Sequence, residues 1–225
     1  AGSYNQGVES IAIGQQAGAT NQAEQAIAIG HLAGQITQSA DSIAIGTVAG
    51  NAGAGSKAIA IGYAAGYTNQ ASFSLAIGAS AGRENQDGSA IAIGVFAGQT
   101  QQGEQSIAIG SYAGASGQNK YGVAIGNYAG WRSQQETAVA IGRGAGFASQ
   151  GTGSIAIGSS AASGVDVALG LGEQGTEAIA IGVQAGAFNQ GEKAIAIGVS
   201  AGGKNQGAAS IAIGLEAGAT GQDVS

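Results

Sequence analysis

Ile-Ala-Ile-Gly returns every sixteen residues along most of the chain, and between its copies the sequence turns to Gly, Asn and Gln. Residues 10–25 read SIAIGQQAGATNQAEQ and residues 26–41 read AIAIGHLAGQITQSAD. The four-residue core starts at Ile11, Ile27, Ile43, Ile59, Leu75, Ile91, Ile107, Val123, Val139 and Ile155, then at Val167, Ile179, Ile195 and Ile211. Counting from the first Ile, position two is always Ala and position four always Gly. Position seven is Ala except at Glu173, and position twelve is Gln in most copies, from Gln22 through Gln222. The interval from Ile155 to Ile179 divides into two shortened coils of twelve, IAIGSSAASGVD and VALGLGEQGTEA. Residues 1–225 are therefore expected to form a single repeat array.

Ile-Ala-Ile alternates with a period of two, and its β-branched residues favour a short strand. A helix is disfavoured, because recurrent Gly at positions four and eight would each cost about 1 kcal/mol in a helix interior. The expected coil is a strand, a Gly corner, a second short strand through x-x-Ala-Gly, and a polar return loop. Stacking such coils gives an all-β fold, a parallel β-solenoid of about fourteen coils. At roughly 4.8 Å per coil the stack would be roughly 65 Å long. Identical residues then form ladders, including a Gln ladder whose amides bond to the coils above and below.

Strand parity sends positions one and three to one face, and positions sixteen, two and four to the other. One face is Ile; the other is Ser or Ala, Ala and Gly. A narrow coil whose strands nearly touch holds small side chains, which directs the Ile rows outward. Such a stripe would expose on the order of 500–650 Å², at or above what a monomer tolerates. Burial around a threefold axis would cover it, so a homotrimer is expected. Its interface would comprise Ile11, Ile13, Ile27, Ile29, Ile43, Ile45, Ile59, Ile61, Ile91, Ile93, Ile107 and Ile109. The alternative is a monomeric coil with Ile inside and the Ala/Ser/Gly face outside.

Composition narrows the function classes. The chain has 44 Gly, no Pro, no Cys and no Met, and 44% of its residues are hydrophobic, which argues against disorder. Its net charge is -6, with no basic run, so the footprint of a nucleic-acid partner is missing. No apolar stretch reaches the roughly twenty residues that span a bilayer, so direct membrane insertion of this segment is not expected. The chain shows no signal-peptide pattern and does not begin with Met, as a processed or excised piece would.

Chemistry has little foothold. Gly170-Leu171-Gly172-Glu173-Gln174-Gly175 matches a dinucleotide-binding fingerprint, but Gly-rich repeats produce such matches by chance and no helix follows it. His31 is the single histidine and the carboxylates are scattered, so no catalytic residue, cofactor or metal site is expected and the chain reads as a non-enzyme. One cluster rises above this background. Phe96, Tyr112 and Tyr128 occupy position six of successive coils; Trp131 and Phe147 occupy position nine, beside Arg132 and Arg143. Rings with guanidinium groups nearby suit a sugar or a protein partner, and equally suit a stabilising side-chain ladder.

The motif S/A-[IV]-A-I-G-x-x-A-G, recurring with few departures along essentially the whole chain, resembles the YadA-like head repeats of trimeric autotransporter adhesins. The resemblance implies a left-handed parallel β-roll that trimerises, a place on the bacterial outer-membrane surface, and binding to a host-surface protein or glycan. It assigns structural roles to Ile11, Ala12, Ile13, Gly14 and their equivalents. The family's repeat is commonly shorter than the sixteen residues used here, and similar arrays occur in fibre proteins of large viruses and phages. The expected function is a rigid structural and adhesive fibre segment. Two alternatives stay open. One is a self-assembling filament joined end to end. The other is an ice-binding solenoid using Thr20, Thr68, Thr100 and Thr220 at position ten, a column interrupted by Ile36, Ala52, Arg132 and Lys204.

Overall fold

A computed structural model describes residues 1–166 and 170–220. Val167, read above as a coil start, and Gln222 lie outside them. The chain divides into two compact units, Ala1–Ser111 and Tyr112–Ser225.

Each unit is built from coils carrying two short strands. In the first unit the Ile-Ala-Ile strands run from Ile11–Ile13 to Ile107–Ile109, and in the second from Val123–Ile125 to Ile211–Ile213. Successive strands pair in parallel with every residue opposite its own equivalent, as in Leu75↔Ile91, Ala76↔Ala92 and Ile77↔Ile93. The fold is an all-β parallel β-solenoid.

The second strand lies elsewhere than x-x-Ala-Gly. It occupies positions ten to twelve, for example Thr68–Gln70, Thr100–Gln102 and Phe188–Gln190. Backbone conformation decides this. Position six is left-handed in nearly every coil (Phe96, φ 57°; Tyr128, φ 58°), and the Gly at position eight is too (Gly98, φ 50°; Gly130, φ 52°). A segment with two left-handed residues so close turns instead of extending. The Gly at position four sits near φ 128°, as at Gly94, a region closed to side chains. A Cβ on Gly94 would also stand 2.7 Å from the carbonyl oxygen of Gly110.

Parity places the small residues inside. Ala90, Ala92 and Ala97, at positions sixteen, two and seven, are fully buried. The interior is not confined to small side chains, however: Gln22, Gln38, Gln70, Gln86 and Gln102 are buried too. Gln86 Nε2 donates across the coil to Leu75 O (2.9 Å) and along the stack to Gln102 Oε1 (3.1 Å). Parallel contacts link Gln118 to Gln134 (3.0 Å) and Gln174 to Gln190 (3.2 Å). In the regular coils position eight is Gly, which leaves room for the amide: a Cβ on Gly98 would lie 2.4 Å from Gln102 Oε1. The Ile rows face outward. Ile27, Ile29, Ile43, Ile45, Ile59, Ile61, Ile91, Ile93, Ile107 and Ile109 are half-buried, and Ile11 and Ile13 are exposed.

The irregular interval is one coil with an excursion, not two short coils. Ile155–Ile157 pairs directly with Ile179–Ile181, and Ser149–Gln150 pairs with Glu173–Gln174. Between them, Val165–Asp166 and Gly170–Leu171 form a small antiparallel pair, closed where Gly172 N donates to Gly164 O (2.6 Å). Gln174 thus supplies position twelve of the coil begun by Ile155, bonded at 3.1 Å to Gln150. The ladder reaches Ile179 because Gln174 and Ala178 provide the interior amide and the buried Ala that the coil requires. This reading leaves thirteen Ile-Ala-Ile-type strands among the described residues. It also moves Glu173 out of position seven, where it had been the sole exception.

Candidate ligand-contact surface

The corner between the two strands, positions five to ten, carries the variable side chains. Register turns equal positions into columns one coil apart. In the second unit the Tyr112 and Tyr128 rings of column six stack with centroids 4.8 Å apart and planes 3° from parallel. Trp131 and Phe147 of column nine lie 4.7 Å apart at 39°. Tyr128 joins the two columns, at 6.0 Å from Trp131 edge to face and 6.0 Å from Phe147. Within the second unit, Tyr112, Tyr128, Trp131 and Phe147, noted from sequence spacing, therefore form one cluster. Phe96 holds position six in the first unit and is half-buried.

The two guanidinium groups behave differently. Arg132 lies over the Trp131 ring, 4.0 Å from its centroid, and extends the aromatic stack. Arg143, at position five, is exposed and donates from Nη2 to Ser159 Oγ at 3.3 Å.

Beyond Phe147 the columns switch to small residues, and a groove of about 430 Å³ opens. Tyr128, Arg143 and Phe147 bound one end, Ser160, Ser163 and Ala187 line its length, and Gln184 and Phe188 stand at the far end. A further section of about 250 Å³ shares Gln184, Ala187 and Phe188 and continues to Ser200 and Lys204. Lys204 lies over Phe188, 5.7 Å from the ring centroid. The same corner of the first unit forms a smaller groove of about 260 Å³ around Tyr63, Tyr67 and Arg83.

Sequence spacing located the rings but not the groove. Its signal was the run of small residues at positions six and nine, Gly144, Ser160, Ser163 and Ala187, directly after the aromatic pairs. At the opposite corner, exposed Lys193 donates to Glu192 Oε1 at 2.9 Å. That hydrogen bond and the charge of Lys193 hold the Glu192 carboxyl below its ordinary range and raise the Lys193 ammonium. Among the described residues no cluster of three or more His, Cys, Asp or Glu could hold a metal ion, and no helix is long and apolar enough to cross a membrane.

Residues 6–33, 102–129 and 174–201 match the YadA head domain repeat (2 copies). Each matched segment begins at a position-twelve Gln (Gln6, Gln102, Gln174) and ends at a position-seven Ala (Ala33, Ala129, Ala201). The third segment phases Gln174 as the strand pairing does. No curated protein and no solved structure matches the chain.

Proposed function

From a chain that carries YadA-type head repeats, we propose that residues 1–225 act as one repeat array, a homotrimeric adhesive fibre segment displayed on the bacterial outer-membrane surface. The observation that carries the reading is the orientation of the Ile rows. Ala92 is fully buried while Ile91 and Ile93 on either side of it face outward. Branched aliphatic rows on the outside of a solenoid leave apolar area exposed, and burying it returns about 25 cal/mol per Å². Three copies around an axis give each row a matching partner and close the assembly.

Attachment is assigned to the corner columns, with Tyr112, Tyr128, Trp131, Phe147, Arg132 and Arg143 in one unit and Phe96 in the other. Weak contacts repeated on three chains multiply through effective concentration, so no single deep site is needed. The occupant is a host-surface protein or glycan, and the role is structural, without catalysis. The test is the triple variant Tyr112→Ser/Tyr128→Ser/Trp131→Ser, scored for attachment to host cells beside its circular dichroism. Lost attachment with an unchanged spectrum supports the assignment; unchanged attachment with an unchanged spectrum overturns it.

A further inference from the structure

We infer that the groove from Arg143 to Lys204 is a binding site for an acidic oligosaccharide lying along the coil stack; the inference rests on reading this corner as the ligand-contact surface. Its two sections share Gln184, Ala187 and Phe188, so they form one trough. The lining combines what a sugar chain needs: aromatic faces on Phe147 and Phe188, and hydroxyl and amide groups on Ser160, Ser200 and Gln184. Pyranose rings present an apolar face and a polar rim, and stack on rings of this kind while bonding to such groups. The volume of the larger section lies in the range of small-molecule sites.

Charge selects the acidic class. The chain is net -6, yet among the described residues no carboxylate lines either section, while Arg143 and Lys204 do. Arg143 makes its hydrogen bond to a neutral hydroxyl, which leaves guanidinium donors for a carboxylate or sulfate. The two cations belong to coils three steps apart, about 14 Å along the stack. Two discrete, separated cations suit a polymer whose anionic groups are themselves spaced apart along the chain. A nucleic acid carries a phosphate on every nucleotide and calls for a continuous basic stripe.

The test is titration calorimetry of the full chain with a hexasaccharide of alternating glucuronate and N-acetylhexosamine. Binding that weakens as salt rises is expected. Arg143→Gln and Lys204→Gln should each lower affinity by about tenfold, as loss of a charge-assisted contact does. Lys193→Gln makes the same charge change at the opposite corner and should leave affinity unchanged. Failure of the wild type to bind overturns the inference, as does equal binding of a neutral hexasaccharide or of an oligoglutamate peptide. An equal loss in Lys193→Gln overturns it too, since it would show attraction without a site. A chain that attaches to host cells but ignores the hexasaccharide refutes the sugar class alone. A chain that attaches to nothing refutes the adhesive reading itself.

Discussion

Asn-Gln at positions eleven and twelve reads as loop chemistry in a linear sequence, yet the two residues do different work. Position eleven is left-handed, as at Asn69 (φ 52°) and Asn85 (φ 56°), a conformation that Asn tolerates better than most side chains. Its amide then bonds to the next coil, Asn69 Nδ2 to Asn85 Oδ1 at 3.0 Å. Position twelve points inward, and Gln86 meets carbonyl groups at positions one and sixteen, Leu75 O and Ala90 O. Gln86→Leu deletes the donor but leaves these carbonyls in place. A loss of about 1–3 kcal/mol is expected, read from the urea-unfolding midpoint. Gly98 and Gln102 are coupled, because a Cβ at Gly98 would meet the Gln102 amide. Gly98→Ala should therefore destabilise the native chain more than it destabilises the Gln102→Ala variant, and a double-mutant cycle measures the difference. The coil with Ala54 at position twelve shows the easier case: the atoms nearest a Cβ at Gly50 would be Ala methyl groups, from 3.1 Å, in place of an amide.

At the scale of the element, the Ile-Ala-Ile strand could be read from sequence because period-two alternation specifies its two faces outright. The partner strand could not, because three residues, one of them left-handed, carry no alternation to detect. The irregular coil misled for a related reason: Val167-Ala168-Leu169-Gly170 copies the core motif. Pairing of Ile155–Ile157 with Ile179–Ile181 shows that the register passes it by. Deleting residues 165–172 joins Gly164 to Glu173 and restores sixteen-residue spacing. The shortened chain should fold with an unchanged β spectrum and an unfolding midpoint no lower than that of the parent. Collapse of that variant would mean that the excursion is integral to the coil. Substituting Ile91→Lys and Ile93→Lys in one strand leaves the interior Ala92 untouched. Circular dichroism should be retained while the assembly dissociates, because charge on that face opposes burial against a second chain.

For the whole molecule, light scattering should return about three times the 21.4 kDa chain mass. A mass of one chain would remove the assembly reading while leaving the coil intact. Electron microscopy of the same sample separates discrete particles from end-to-end filaments. The Glu192–Lys193 pair permits one pH statement. The lowered Glu192 carboxyl contributes stability above its unfolded pKa that is lost as pH falls through its folded value. Both groups are fully exposed, so Lys193→Gln should leave the acid-unfolding profile essentially unchanged.

By itself the sequence determined the sixteen-residue coil, the all-β class, the inward Ala and outward Ile, and the columns in which rings meet. Each follows from local rules: alternation sets a strand's faces, and a constant period puts like residues in register. Only the tertiary structure decided that Gln fills the interior beside Ala, that the second strand falls at positions ten to twelve, and that residues 155–178 make one coil. It alone revealed the groove beside Phe147. These outcomes depend on which groups meet across the coil and between coils: a buried amide needs carbonyls that lie eleven residues away in sequence, and a groove exists only where small residues of adjacent coils align.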